Sequence, residues 1–233
     1  MEHSPISQKL TSRFVAGQTL ADGIDVLRQL SQEKITGTLD FLGENVQSLT
    51  EAARSRDCYL SALDEICRAS LPATVSIKLT QFGLNFSDEA CLENASALVE
   101  RAGRINSRVE VDMESSEYTE RTLRVVSCLQ KRHAGCVRAV IQAYLHRSES
   151  DIGWLSDQEI PVRLCKGAYR EPPELAFARK ADVDANYMKL MEQLLDRGIY
   201  PAIASHDEAI IRRAVEYARE KKIGADRDRK SVV

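Results

Sequence analysis

Lys78, Asp112, Gln142, Arg163, Lys166 and His206 each fall at or just past the carboxyl end of a short apolar, β-branched run. One such residue is what any strand shows on meeting its loop. Five consecutive runs that all end in polar or ionisable groups point to one shared rim. Lys78 and Arg163 sit inside otherwise apolar stretches, where a charge is costly unless it is paired or faces a polar cavity. Asp112 can hold or neutralise a cation, and Lys78 can pair with it or meet a substrate carboxylate. Arg163 offers a planar fork of donors to a heteroaromatic ring or an anion. Together these groups suit an amino acid. Gln142 both donates and accepts, which matches the imide edge of a fused ring better than a phosphate. In "VRLCKGAYRE", residues 162–171, Gly167 and Ala168 allow close backbone approach, with Lys166 near a diphosphate and Tyr169 covering a ring. Glu114 reads as a solvated loop acid and His133 and His146 as surface histidines. The six cysteines read as small core residues, with no metal-ligand spacing among them.

The elements that must position these residues alternate. "ITGTLDFL" (35–42), "TVSIKLT" (74–80), "SRVEVDM" (107–113), "CVRAVIQA" (136–143), "IPVRLCK" (160–166) and "YPAIAS" (200–205) read as strands buried on both faces. Helical segments lie between them: "SDEACLENASALVERAG" from an N-cap at Ser87 to Gly103, "SEYTERTLRVVSCLQKR", and "ADVDANYMKLMEQLLDRG" ending at Gly198. Repeated βα units imply parallel strands and right-handed crossovers, in a doubly wound sheet or a (β/α)8 barrel. No Gly-x-Gly-x-x-Gly follows the first strand, which favours the barrel. About six units are present where a closed barrel has eight.

The 233 residues form one domain, 1–233, with a helical lead-in over 1–30 and an atypical tail over 228–233. A net charge of −3 gives no broad attraction to nucleic acid. No stretch reaches the ~20 apolar residues of a membrane span, and the cysteine pattern fits a reducing cytoplasm.

In order and spacing, "VSIKLTQFGL", "VEVDMESSEYTERTL", "VIQAYLHR", "VRLCKGAYREP" and "IASHD" resemble the flavin-dependent proline dehydrogenase family over about residues 13–226. The resemblance implies a distorted (β/α)8 barrel holding FAD at its carboxyl face. It implies oxidation of L-proline to 1-pyrroline-5-carboxylate, with electrons passed to a quinone and peripheral contact with the inner face of the membrane. Carried over to this sequence, it assigns Asp112 and Arg163 to the catalytic centre and Lys78 and Tyr169 to the substrate. Met113, Gln142, Arg163, Lys166, Gly167, Ala168, Tyr169, Ser205 and His206 go to the cofactor, Ser205 standing where the family often has threonine. The family continues into two further strands and a helix whose paired arginines grip the proline carboxylate. Here Asp228–Val233 follows instead, so that clamp is expected to be missing. Two other functions compete: an inactive flavin-binding fragment or interaction module with open sheet edges, and a barrel whose Lys166 or Lys78 forms a Schiff base.

Overall fold

The computed structural model describes residues 15–43 and 45–224. Residues 1–14 of the lead-in and the tail over 228–233 lie outside that range. Six parallel strands form one curled sheet in chain order: β1 (Gly37–Asp40), β2 (Ala73–Ile77), β3 (Val109–Val111), β4 (Val137–Gln142), β5 (Val162–Cys165) and β6 (Ala202–Ile203). The order excludes a doubly wound sheet, in which the strand sequence reverses at a switch point. It matches an open portion of a (β/α) barrel, as expected.

The helices are α1 (Leu20–Gln32), α2 (Leu49–Arg68), α3 (Asp88–Arg104), α4 (Ser116–Arg132), α5 (Ser148–Asp157), α6 (Lys180–Arg197) and α7 (Glu208–Glu220). Their starts are set by side chains that satisfy otherwise orphaned amides. Thr19 and Asp22 form a reciprocal capping box at α1, while Ser48, Ser87 and Asp207 cap α2, α3 and α7. Gly103 does not end α3, which runs one residue further. It lies where α3 crosses the start of β4, and a Cβ there would sit 2.8 Å from Cys136 Sγ. It is a packing glycine and not a cap.

Each strand divides its side chains between two faces with period two. Outward-facing Val75, Ile77, Val109, Val111, Val137, Ala139, Ile141, Val162 and Leu164 join the helices in one apolar core. Inward-facing positions are mostly polar: Thr38 and Asp40, Thr74 and Ser76, Glu110, Arg138 and Gln142, Arg163. β2, β3 and β4 are thus buried on both faces, with only one face apolar, whereas β1, β5 and β6 are partly exposed and do not meet the expectation of burial on both faces. Tyr187 of α6 shows how the outer layer is fastened: it is fully buried, and its hydroxyl donates to Leu164 O at 2.9 Å, with Ala204 O at 3.0 Å. Burial of such a ring contributes ~1.5–3 kcal/mol, and the hydroxyl ties β5 to the segment following β6.

Of the cysteines, only Cys91 fits the expectation of a core residue. Cys58, Cys67 and Cys128 are exposed, on helix faces turned to solvent.

Candidate active site

Register sets the inward polar residues of β2, β3 and β4 side by side, with Arg163 of β5 one pleat repeat nearer the carboxyl ends of the strands. Ser76 pairs with Glu110 across β2 and β3, Glu110 with Arg138 across β3 and β4, and Val140 with Arg163 across β4 and β5. Above them, Asp40 closes β1, while Lys78 and Asp112 each follow the last residue of their strand.

Three of the residues expected from sequence meet here. Lys78 Nζ lies 3.6 Å from Asp112 Oδ2 and 3.2 Å from Asp40 Oδ2. Asp112 Oδ1 accepts from Ser76 Oγ at 2.7 Å and from Arg163 Nη2. Arg163 Nη2 also donates to Ser76 Oγ at 3.2 Å, and its Nη1 stands 3.2 Å from Glu110 Oε2. Glu110 Oε1 accepts from Arg138 Nη1 at 2.8 Å. Three cations (Lys78, Arg138, Arg163) therefore face three anions (Asp40, Glu110, Asp112) within the curl of the sheet. Such matching is what permits charges to remain in a largely desolvated interior.

Burial raises the Asp112 carboxyl above its ordinary value, and this outweighs the opposing pull of Arg163, Ser76 and Lys78. A buried carboxylate of raised pKa is better suited to taking up a proton than an exposed one. Tyr59 of α2 secures the neighbouring acid: its hydroxyl donates to Asp40 Oδ1 at 3.0 Å and accepts from Phe41 N at 3.1 Å. Burial and then the Asp40 charge push that phenol far above its ordinary value, so it remains a donor.

Sequence reasoning missed Asp40, Ser76, Glu110, Arg138 and Tyr59. A signal for the first four was present, since polar residues at 38 and 40, 74, 76 and 78, 110 and 112, and 138 and 142 keep period two inside runs taken as apolar. Tyr59 had none, because only the packing of α2 on β1 brings it to Asp40. Glu114 is corrected: it is buried, and its carboxylate accepts from Thr80 N at 3.1 Å and from Thr80 Oγ1. It fastens the loop after β3 to the 3-10 turn Leu79–Phe82 that follows β2.

Gln142 ends β4 fully enclosed. Its Nε2 donates to Met113 O at 2.6 Å and Glu114 O at 3.0 Å, and its Oε1 has no hydrogen-bond partner among the described residues. An enclosed, unpaired acceptor is costly and marks a place for a donor. The Met113 side chain packs into the main apolar core, so its carbonyl is the part turned toward Gln142.

The stretch from Lys166 to Phe177 straps over the segment after β4. Tyr144 N donates to Lys166 O at 2.9 Å, Phe177 N to Tyr144 O at 2.8 Å, and His146 N to Leu175 O at 2.9 Å. Gly167 has φ +106, and a Cβ there would lie 2.5 Å from Tyr144 Cε1 and 2.8 Å from Cγ, so only glycine fits. Glu171 reaches from the strap to the start of α4, accepting from Ser116 N at 2.7 Å and Ser116 Oγ at 2.5 Å. Tyr169 is half-buried against Tyr144, Leu145 and Ala176, and Ala168 is exposed.

Lys166 points away from the Arg163 cluster. Its Nζ donates to Asp184 Oδ1 at 2.6 Å and Asp207 Oδ2 at 3.0 Å. Burial lowers its pKa, but the two carboxylates outweigh burial and hold the ammonium above its ordinary value. That is the reverse of what a Schiff-base lysine needs, which argues against Lys166 as a nucleophile. Beyond β6, Ser205 is buried and accepts from Asp207 N at 3.0 Å, while the His206 side chain is exposed.

A family model described as proline dehydrogenase matches residues 24–231. Proline dehydrogenase 2 of Bacillus subtilis (strain 168) is 34% identical over 221 residues, covering 95% of this chain and 73% of the relative. The proline dehydrogenase of Deinococcus radiodurans is 33% identical over 224 residues, covering 93% and 71%. Among solved structures, proline utilization A from Bdellovibrio bacteriovorus, inactivated by N-propargylglycine, superimposes with a TM-score of 0.86 at 24% identity. The match covers 95% of this chain and 28% of that much longer one, and at this identity the likeness concerns the fold alone.

Proposed function

Because this chain belongs to the proline dehydrogenase family, we propose that it oxidises L-proline to 1-pyrroline-5-carboxylate with FAD held at the carboxyl rim of the sheet. Electrons then pass to a quinone, with the protein in the cytoplasm and peripheral to the inner face of the membrane. Family membership supports the substrate and the reaction. The observation that carries the site is the Lys78, Asp112 and Arg163 cluster at the strand ends, beside the unpaired acceptor of Gln142.

The residues present fit a flavin. Gln142 Oε1 is an enclosed acceptor awaiting an N–H. Gly167 lets its backbone pack directly against the Tyr144 ring at the start of this stretch, and Arg163 provides a fixed cation at the same rim. Those three residues, with the Lys166–Tyr169 backbone, Ser205 and His206, would hold the cofactor. When bound, it accepts the hydride.

The chain's own residues do the rest. The Lys78 ammonium binds the proline carboxylate, and its pairing with Asp40 and Asp112 fixes where that charge sits. Oxidation removes a hydride from the ring carbon and a proton from the ring nitrogen. Asp112 Oδ2 is the oxygen not engaged by Ser76 and Arg163, and with its raised pKa it can take up that proton. Arg163, locked between Glu110 and Asp112, supplies preorganised positive charge where negative charge develops. Tyr169, anchored by the strap, covers the pocket from solvent.

The test is the visible spectrum of the purified protein and its bleaching by L-proline. The reading requires stoichiometric flavin whose absorbance falls on adding proline. It also requires that Arg163→Met slow this reduction far more than it lowers the melting temperature. A flavin-free protein, or a variant that reduces at the parental rate, overturns the assignment.

A further inference from the structure

Below the substrate level lies an ion pair that the proposed chemistry does not use. Glu110 and Arg138 are neighbours in register on β3 and β4, and their side chains are 2% and 5% exposed. Arg138 Nη2 also donates to Tyr200 O at 3.3 Å, in the turn leading into β6. The other edge of Glu110 faces Arg163, with Oε2 at 3.2 Å from Arg163 Nη1 and no hydrogen bond of its own among the described residues. One chain of contacts therefore runs from Tyr200 through Arg138 and Glu110 to Arg163, and then to Asp112.

A pair this deep is a poor device for stability, because apolar replacements of similar volume are often neutral or better. Its geometry indicates another role. Arg163 is shared by two carboxylates, Glu110 below and Asp112 above. Were Glu110 absent, the guanidinium could turn wholly onto Asp112 and close a two-point pair with it. Were Arg138 absent, Glu110 would carry an uncompensated charge and draw Arg163 down, away from the rim.

We propose that Glu110, neutralised by Arg138, is a positioning residue that holds Arg163 at its working height and keeps it from collapsing onto Asp112. This inference rests on the reading that Asp112 and Arg163 form the catalytic centre. Glu110 touches neither substrate nor cofactor and acts through Arg163.

The experiment is a double-mutant cycle on the full chain, read by proline-dependent dye reduction. Glu110→Gln/Arg138→Met removes both buried charges together and so leaves neither one orphaned. The expected result is kcat about tenfold lower with KM for proline within about threefold, since what is lost is realised in the transition state. In an Arg163→Met background the same pair of changes should do nothing further, because its target is gone. An effect that multiplies with Arg163→Met, or full kcat in Glu110→Gln/Arg138→Met, overturns the proposal. Parental activity in Arg163→Met alone overturns the catalytic reading as well, so the two failures are distinguishable. Should the paired variant fail to fold, Glu110→Asp keeps both charges while withdrawing the carboxylate. It should lower kcat with KM unchanged, and a parental kcat would count against the relay.

A second readout is independent of turnover. Asp112 is faced by Asp40 of β1, Ser76 and Lys78 of β2 and its end, Arg163 of β5 and Tyr59 of α2, with Glu110 two residues before it. The carboxyl 13C resonance of Asp112 should titrate lower in Glu110→Gln/Arg138→Met, because Arg163 then pairs with it alone. An unchanged titration rejects the idea.

Discussion

Gly167 offers the sharpest test of the strap over the site. At φ +106 an L side chain is strained, at a cost of ~1–3 kcal/mol. Alanine would also place its Cβ 2.5 Å from Tyr144 Cε1 and 2.8 Å from Cγ, closer than any relaxed contact. Tyr144 is 7% exposed and packed against Leu145 and Ala176, so its ring cannot simply swing away. Overpacking of this kind costs a further ~1–3 kcal/mol. Gly167→Ala should therefore lose ~2–6 kcal/mol, a large share of the ~5–15 kcal/mol typical of a folded domain. The two contributions are separable by urea unfolding in two backgrounds. In Tyr144→Ala, which removes Cγ, Cδ1 and Cε1, the clash is relieved and only the backbone strain remains, so the same alanine should cost ~1–3 kcal/mol there. Flavin content, read by absorbance, should fall with stability in the parental background, because the strained stretch is the proposed cofactor seat. An alanine variant within ~0.5 kcal/mol of the parent, or an equal cost in both backgrounds, would refute this reasoning.

Four further outcomes follow from the site. The raised Asp112 carboxyl contributes stability that is fully present below its ordinary value of 3.8 and is lost as pH rises through its higher folded value. Asp112→Asn should thus melt higher than the parent at neutral pH, by about 1.4 kcal/mol for each pH unit of elevation, with the difference vanishing in acid and with turnover impaired; calorimetry across pH checks it. Tyr59→Phe removes a hydroxyl that serves both Asp40 and Phe41 N and should cost ~1–3 kcal/mol by denaturant unfolding. Glu171→Ala uncaps α4 from a distance and should cost ~1 kcal/mol, with faster amide exchange at Ser116. Lys78→Met should raise KM for proline more than about tenfold through loss of a buried carboxylate partner, and equal KM values would remove Lys78 from the substrate site.

Element type was legible because the βα alternation is strong: strands near 37, 74, 109, 137, 162 and 202 fall inside the segments expected from sequence. Sheet order was legible too, since consecutive βα units have short connections and one handedness. The inner face of the sheet was not. Reading β2 and β4 as uniformly apolar hid Ser76 and Arg138, whose period-two spacing was weaker than the valines and isoleucines around them. Lys78, Asp112 and Arg163 were found because each is a charge at a strand end, whereas Asp40 was passed over inside the segment 35–42 read as a buried strand. Glu114 was misread because its partner is the backbone of Thr80, 34 residues earlier, and no local pattern announces such a bond. The same applies to Lys166, whose two carboxylates come from separate helical units.

The order of the strands bears on how the molecule is made. Each strand from β2 to β5 pairs only with the strands immediately before and after it in the chain, and the crossover between them is a single βα unit. On a ribosome, where residues emerge from the amino end, each new unit can dock on the edge left by its predecessor without waiting for a distant segment. Growth of that kind keeps loop closure short at every step. The inward charges follow a different timetable. Asp40, Ser76, Lys78 and Asp112 are laid down well before Arg163 arrives with β5, so a nascent sheet of three strands carries inward acids whose one cationic partner in this cluster is Lys78. A translating chain stalled between β3 and β4 therefore holds Glu110 before either of its arginine partners, Arg138 and Arg163, has been made.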